Sequence, residues 1–553
     1  MYCRRLVLAG LLCILAVGCG RRSEQAVERL AIPPFENLSD DATLGWAGWA
    51  LSEAVTAGLT GFEQLHPLRV SNIRDAPAAG ATSALRGYYV LAGGRLRLSV
   101  ERRDLRRGRA LARYSVEEAF PEGLIRAAGS VARWIEPRAR AFDSTKPEAL
   151  VAFAQGRELE DAAGAAAAFE RAASTDPDFG GAYVAWARAL LVRGDRAGLM
   201  SVIEKARARG DRITQVRRAD LDLLQSAATN DAALRRKALE SLSRLTPADV
   251  DVVRQLAGED YAARRFDSAA ERYRRATALD PSHQGAWNQL GYTEAARRNL
   301  DGARAALREY QRLAPADANP LDSLGDVHFH LGLFGEAEKY YLEAYEKAPA
   351  FLAGATIYKA ARARLMTGDA AGANGIFQRL AATDSFAVCR KAQWLYLIGK
   401  RAEAVAEMKR VTAREALPLA ASQLAVWSLL GGNREEPAAG SPYSRRLAVA
   451  RELADGRFAE AIPVLKELSA AANPLGYDRV DVLLAWALIE TGRIQEAAPL
   501  LEVYGVPPVG VEDPLVFLAF PRVFQLRAAV LAKQGRPAEA AKMLDIYRRL
   551  GGE

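Results

Sequence analysis

Residues 281–349 read PSHQGAWNQLGYTEAARRNLDGARAALREYQRLAPADANPLDSLGDVHFHLGLFGEAEKYYLEAYEKAP. Pro281, Pro315 and Pro349 stand 34 residues apart, and the side chains between them keep one order of large and small on each pass. The first half of a pass supplies Trp287, Leu290 and Gly291, then Leu321, Leu324 and Gly325; the preceding pass has Val253, Leu256 and Ala257. The second half supplies Ala269, Tyr273 and Ala276, then Ala303, Leu307 and Tyr310, then Ala337, Tyr341 and Ala344. These spacings place a large and a small residue on one helical face, so that two helices can approach with knobs meeting gaps. Each proline follows Asp280, Ala314 or Ala348, where a residue without an amide hydrogen stops the second helix and opens the next connection.

A helix–turn–helix unit of this period resembles the tetratricopeptide repeat, in which only stacking on neighbours buries the apolar faces. Upstream, Pro247 lies one period before Pro281; Ala165, Phe169, Ala172 and Pro177 repeat the second-helix pattern, and Tyr183, Trp186 and Ala187 open another first helix, with Gly194 in its turn. The spacing from Pro177 to Pro247 exceeds two periods by two residues, which places an insertion near 211–216. Downstream the pattern degenerates through Tyr358 to Phe377, Ala392 to Met408, Ala450 to Leu465, Leu483 to Leu501 and Phe524 to Leu544. The stretch GGNREEPAAGS at 431–441 breaks the array. The expected fold is mainly α: a tetratricopeptide-repeat solenoid over 145–430, a linker at 431–441 and degenerate repeats over 442–553.

At the other end, Arg4 and Arg5 precede an apolar run from Leu6 to Val17, too short for a bilayer-spanning helix, and it reads as a signal peptide over 1–18. Leu15-Ala16-Val17-Gly18-Cys19 resembles a bacterial lipobox, with Ala16 a less usual choice at its position. It implies lipidation of Cys19 and a tether over 19–27; ordinary cleavage and an uncleaved anchor are the alternatives. Gly20 is not the Asp that resembles an inner-membrane retention signal, which favours the outer membrane facing the periplasm. Of the four cysteines, Cys3 and Cys13 would leave with the leader and Cys389 would remain as a packing residue.

Residues 28–142 follow a different rhythm. Leu30 to Phe35 reads as a buried strand, Leu44 to Leu59 as an amphipathic helix and Arg69 to Ser71 as a second strand. Tyr88 to Ala92, Leu96 to Glu101 and Leu111 to Val116 alternate as strands, turned at Gly93-Gly94 and Arg106-Arg107-Gly108, before a helix from Leu124 to Ile135. This predicts a small α/β domain with a mostly antiparallel sheet. The strings LAIPPFENLSDDATLGWAGWALSEAVTAGL and RGYYVLAGGRLRLSVERRDLRRGRAL resemble the TolB-amino-terminal-like, FlgO-like domain, and PEALVAFAQGRELE resembles its usual lead into repeats. The resemblance, spanning nearly all of 28–380, implies a non-catalytic interaction or sensing module and carries over no catalytic residue. Two departures are a short Ala-rich 75–84 segment in place of a helix and the lipobox where the family often has an enzyme or DNA-binding domain.

Little else points to chemistry. No phosphate-binding Gly-rich loop and no nucleophile elbow occurs, Asp40-Asp41 and Glu117-Glu118 read as helix-start and surface charges, and the four histidines (His66, His283, His328, His330) lack metal spacing. No enzyme activity, cofactor or metal is expected. The net charge of +8 is dispersed, without stacking aromatics beside it, so no nucleic-acid partner is expected. The cluster Arg102, Arg103, Arg106, Arg107 and Arg109 at one hairpin faces anionic headgroups, an acidic partner or only solvent.

Binding falls instead to the groove. The fifth and ninth residues of first helices line the concave side of such a stack, giving Arg188, Arg254, Asn288, Tyr292, Asp322, Asp326, Tyr358 and Arg362, with His330 on the inner face as a further contact. Mixed charge with tyrosines suits an extended peptide or a helix of a protein partner, and Asp322 and Asp326 argue against a chaperone-type carboxylate clamp. Two functions stay open. One is a membrane-anchored scaffold, a helper subunit of an envelope complex being its narrower form; the other is a sensor whose α/β domain regulates a separate effector.

Overall fold

The computed structural model of the chain describes residues 27–380, 387–414, 417–431, 444–472, 475 and 480–552. The expected leader, Cys19, the tether up to residue 26 and the linker beyond Gly431 lie outside the described residues. The chain divides into two compact units, one ending at Asp249 and the other starting at Val250.

The first unit opens with β1 (Glu28–Ile32), β2 (Glu36–Asn37), α1 (Trp46–Gly58), β3 (Leu65–Arg69), β4 (Ser83–Ala92), β5 (Arg95–Asp104), β6 (Arg109–Ala119) and α2 (Leu124–Ile135). The sheet order is β3-β1-β4-β5-β6, with β2 beside β4. The long strands β4, β5 and β6 are antiparallel, whereas β1 runs parallel to β3 and β4 and β2 parallel to β4. The sheet is therefore mixed, because α1 carries the chain over the sheet and returns it in the same direction. The second strand ends at Arg69 instead of beginning there. Gly93 and Gly94, at φ +58° and +74°, make the tight β4–β5 turn that few other residues accommodate.

One face of this sheet, through Leu30, Leu85, Leu96 and Leu98, packs on Leu51 and Val55 of α1 and Val131 of α2. The same core continues without a break into Leu150, Phe153, Phe169 and Phe179 of the following helices. Phe179 meets Phe142 edge-on at 5.4 Å and Phe153 at 5.0 Å. Those helices are α3 (Pro147–Glu158), α4 (Ala162–Thr175), α5 (Gly180–Val192), α6 (Arg196–Arg207), α7 (Gln215–Thr229) and α8 (Ala232–Leu245). A turn of 3-10 helix at Gly210–Arg212 stands where the repeat spacing demanded extra residues.

The second unit continues the stacked pairs with α9 (Val250–Ala262), α10 (Phe266–Leu279), α11 (Gln284–Ala296), α12 (Leu300–Leu313), α13 (Asn319–His330), α14 (Phe334–Lys347), α15 (Ala355–Leu365) and α16 (Ala370–Phe377). After these come α17 (Ala387–Leu397), α18 (Arg401–Arg414), α19 (Pro418–Leu430), α20 (Ser444–Ala454), α21 (Phe458–Ala471), α22 (Asp481–Glu490) and α23 (Ile494–Ala497). The last helices are α24 (Val516–Ala519), α25 (Arg522–Lys533) and α26 (Pro537–Arg549). α10, α12 and α14 each end two residues before a repeat proline.

The small residues of the pattern have a steric cause. A Cβ on Gly291 would lie 2.6 Å from Leu307 Cγ, and one on Gly325 would lie 2.5 Å from a Tyr341 ring carbon, so each first helix yields room to the large residue of its own second helix. The turn between paired helices follows a rule as well. Gly368, at φ +83°, closes α15, and Asp369 caps α16 by accepting from the Gly372 amide at 2.8 Å. No helix among the described residues is long and apolar enough to cross a membrane.

Candidate interaction surfaces on the repeats

In the second unit, the inner positions named from the sequence converge on a buried polar network. Asp322 and Asp326, one turn apart on α13, both reach Lys359 of α15, with Nζ at 2.7 Å from Asp322 Oδ2 and 2.9 Å from Asp326 Oδ1. Tyr341 donates to Asp326 at 2.8 Å and Tyr292 donates to it at 2.9 Å. All three charges are nearly inaccessible, and Asp322 Oδ1 has no partner. Two carboxylates and one ammonium leave this interior net negative. Burial, and then the charge of Asp326, push the Asp322 carboxyl up to about 7. Burial works against the Lys359 ammonium, but the two aspartates outweigh it and raise its pKa.

His330, Tyr358 and Arg362 are also occupied, by the chain itself. Between α23 and α24 lies an irregular strap, residues 502–515, that runs along the inner sides of α13, α15 and α17. His330 and Tyr504 exchange backbone and ring contacts: the Tyr504 amide donates to the His330 carbonyl at 2.8 Å, and His330 Nδ1 lies 2.6 Å from the Tyr504 carbonyl. Gln393 of α17 pairs with both backbone groups of Glu512 at 3.0 Å, as a neighbouring strand would. The Glu512 carboxylate accepts from the Tyr358 hydroxyl and lies 2.9 Å from Arg362 Nε. Arg446 holds the next residue, Asp513, at 2.7 Å. A largely apolar cavity of about 90 Å³ remains beneath the strap, lined by Phe329, Met366, Tyr504, Val506, Phe520 and Val523 among others. Arg254 and Asn288, earlier on the same side, are half-buried, and Asn288 Oδ1 has no partner.

The first unit differs. Arg188 of α5 is exposed, and so is Arg157 at the end of α3; neither makes an ion pair within 4 Å among the described residues. Around them lie Glu53 of α1, bonded through both oxygens to Arg69 at 2.7 and 2.8 Å, and Arg217 of α7, 3.6 Å from Asp143 and 3.7 Å from Asp220. Burial pushes the Glu53 carboxyl up, but Arg69 first, then Arg217 and Arg157, hold it down at about 2. Although Arg157 is exposed as a residue, its guanidinium lies against the protein: desolvation lowers its pKa, Glu53 opposes this, and Arg69 and Arg188 lower it further. The result is an arginine-rich cluster in which Arg157 and Arg188 make no ion pair within 4 Å among the described residues.

Arg157, Glu53 and Arg217 lie outside the concave offsets of the repeat pattern, so that pattern does not reveal them; only the approach of α1 to α3 does. The strap left a weak trace in the long helix-free run around Pro507, Pro508 and Gly510. Two of the remaining histidines have structural roles. His283 caps α11 by accepting from the Ala286 amide at 3.1 Å, and His328 accepts from Arg304 at 3.0 Å. No group of three or more His, Cys, Asp or Glu among the described residues is placed to hold a metal ion.

Residues 255–318 and 452–505 each match a tetratricopeptide-repeat family model. The chain contains tetratricopeptide repeats. Among solved structures it is similar to a chain of the APC/C hetero-tetramer Cut9-Hcn1, at 20% identity over 36% of this chain and 40% of that one, with a TM-score of 0.29. YrrB, a tetratricopeptide-repeat protein described as having an unusual peptide-binding site, matches at 18% identity over 34% of this chain and 92% of its own, with a TM-score of 0.26. A tetratricopeptide repeat protein from Parabacteroides merdae matches at 12% over 42% and 92%, with a TM-score of 0.33. No curated protein sequence matches the chain.

Proposed function

We propose that this chain is a non-catalytic scaffold, exported and held through a lipidated Cys19 at the outer membrane facing the periplasm, that binds a protein partner on the inner side of its repeats. In this reading the segment before the repeats is a TolB-amino-terminal-like, FlgO-like module.

One observation carries the proposal. In the second unit the first helices already grip an extended polypeptide, the strap, through side chains that satisfy its backbone, as Gln393 does for Glu512. Such a face holds peptides by main-chain contacts and selects them by charge. The strap occupies that face along α13, α15 and α17, and a separate partner docks in the first unit, at Arg157 and Arg188. The sensing alternative draws on an open depression in the small domain, described below.

The test is affinity purification of a soluble Cys19→Ala chain and of the same chain carrying Arg157→Glu and Arg188→Glu, with mass spectrometry of what co-purifies. A protein recovered with the first and lost with the second is expected. Recovery of no protein, or of the same proteins with both, would count against the scaffold reading at this cluster.

A further inference from the structure

The outer face of the small domain carries a charge that the repeats do not explain. An open depression of about 520 Å³ is lined by Glu36, Ile73, Arg74, Ala84, Arg86, Arg103 and other atoms of the same turns. Three guanidinium groups come from three places: the 72–75 turn, β4 and β5. The turn is rigid, because Asn72 and Asp75 close a reciprocal capping box around it, and this presents Arg74 outward without a partner. Arg86 lies 3.6 Å from Glu36, with both more than half exposed. Arg103 reaches Glu101 at 3.3 Å and donates to the Gly108 carbonyl at 2.9 Å, which ties the depression to the β5–β6 turn. On that turn Arg106, Arg107 and Arg109 are exposed, while the Asp104 carboxylate is spent on the Arg106 and Arg107 amides. Six arginines thus share one surface with Glu36, Glu101 and Asp104.

The position of this surface suggests its occupant. The domain begins at Glu28, whose carboxylate holds Arg102, the neighbour of Arg103 on β5. Glu28 lies nine positions after Cys19, a reach of at most ~30 Å for an extended chain. An anchor at Cys19 would keep Glu28 within that distance of the headgroups and so hold the small domain, with its arginine face, beside the membrane, where each basic side chain adds an attraction that fades within a Debye length. The exposed Tyr88 and Leu111 on the same sheet suit an interfacial setting.

We propose that the depression and the adjoining β5–β6 turn form a docking surface for anionic lipid headgroups, which orients the repeats on the membrane. The inference rests on the exported, Cys19-anchored reading of the proposed function, although the binding itself needs no acyl chain. Phosphate or sugar-acid oxygens would enter between Arg74, Arg86 and Arg103, displacing the loose Glu36 contact, while Arg106, Arg107 and Arg109 supply long-range attraction.

The test uses the soluble, unlipidated Cys19→Ala chain in co-sedimentation with vesicles of phosphatidylglycerol and phosphatidylethanolamine against vesicles of phosphatidylcholine. Binding to the anionic vesicles alone is expected, weakened at least tenfold by Arg106→Glu with Arg107→Glu, whose side chains are exposed and make no ion pair within 4 Å among the described residues. Arg74→Gln with Arg86→Gln should weaken it by about tenfold while circular dichroism stays unchanged. Equal binding to both vesicle types, or anionic binding untouched by either pair, overturns the proposal. Binding of inorganic phosphate at Arg74 and Arg86 without any vesicle binding also overturns it and turns the depression into a soluble-anion site, as the sensing alternative requires. Acyl labelling at Cys19 is read separately, so failure of the anchor and failure of this surface are distinct results.

Discussion

Replacing Lys359 with Met removes the one cation of the buried network while keeping most of its volume. The variant leaves Asp322 and Asp326 facing each other in a nearly inaccessible interior, with Tyr292 and Tyr341 as the remaining donors, both to Asp326. Removing one partner of a buried pair costs about 3–5 kcal/mol, since the charge left behind keeps its desolvation penalty. The second unit spans residues 250–553, which is 304 residues. At ~2.1 cal/mol/K of unfolding entropy per residue this is ~0.6 kcal/mol/K, so the loss corresponds to about 5–8 °C in melting temperature. The pH dependence gives the sharper test. Asp322 already titrates at about 7 in the folded chain against 3.8 for the free side chain. A carboxyl raised on folding binds its proton more tightly in the native state, so its stabilising contribution is complete below about pH 4 and is lost as pH rises through 7. Without Lys359 the pair holds a proton still more tightly. The deficit of Lys359→Met should therefore be largest at pH 8 and shrink by more than half at pH 5. Denaturant unfolding of the soluble full-length chain at both pH values, followed by fluorescence, measures it. A variant as stable as the parent at pH 8, or equally weakened at both pH values, would refute the reasoning.

Three further outcomes follow from the packing. Glu512→Ala leaves the Tyr358 hydroxyl and Arg362 guanidinium buried without their acceptor; it should destabilise the second unit by about 2–4 kcal/mol and speed amide exchange at 503–513, and unchanged protection there would show that the strap is held by other contacts. Gly325→Val drives side-chain atoms into Tyr341 and should cost about 1–3 kcal/mol. Gly335→Ala on the next helix meets nothing within 4 Å and should be neutral or gain up to about 1 kcal/mol, so equal losses at the two glycines would contradict the steric explanation. Phe153→Ala, in the core common to the sheet and the first repeats, should cost about 3–5 kcal/mol and move the unfolding of both together; a melt in which only the repeats shift would separate them.

The repeat was legible because it is local. Gly291 and Leu307, or Gly325 and Tyr341, lie 16 residues apart inside one unit, so the steric demand of one on the other is written at a fixed spacing. The prolines after α10, α12 and α14 act on their own backbone and show for the same reason. The small domain was legible in its strands and hairpins, which also close over short distances. Its parallel edge was less so, because the direction in which β3 returns depends on the crossover through α1 and not on alternation within the strand.

The interaction surfaces were legible only in part. Inner positions such as Asp322, Asp326, Tyr358 and Arg362 are where helical spacing puts them, but spacing cannot say what fills the space in front of a helix. Glu512 lies 154 residues beyond Tyr358, and the Arg157 cluster needs α1 and β3 beside α3. By itself, the sequence determined the helix pairs, their turns and their large-to-small faces, since each rests on contacts within a few dozen residues. Only the tertiary structure decided which of those faces are closed, because burial of a charge or a groove depends on segments brought together from far along the chain.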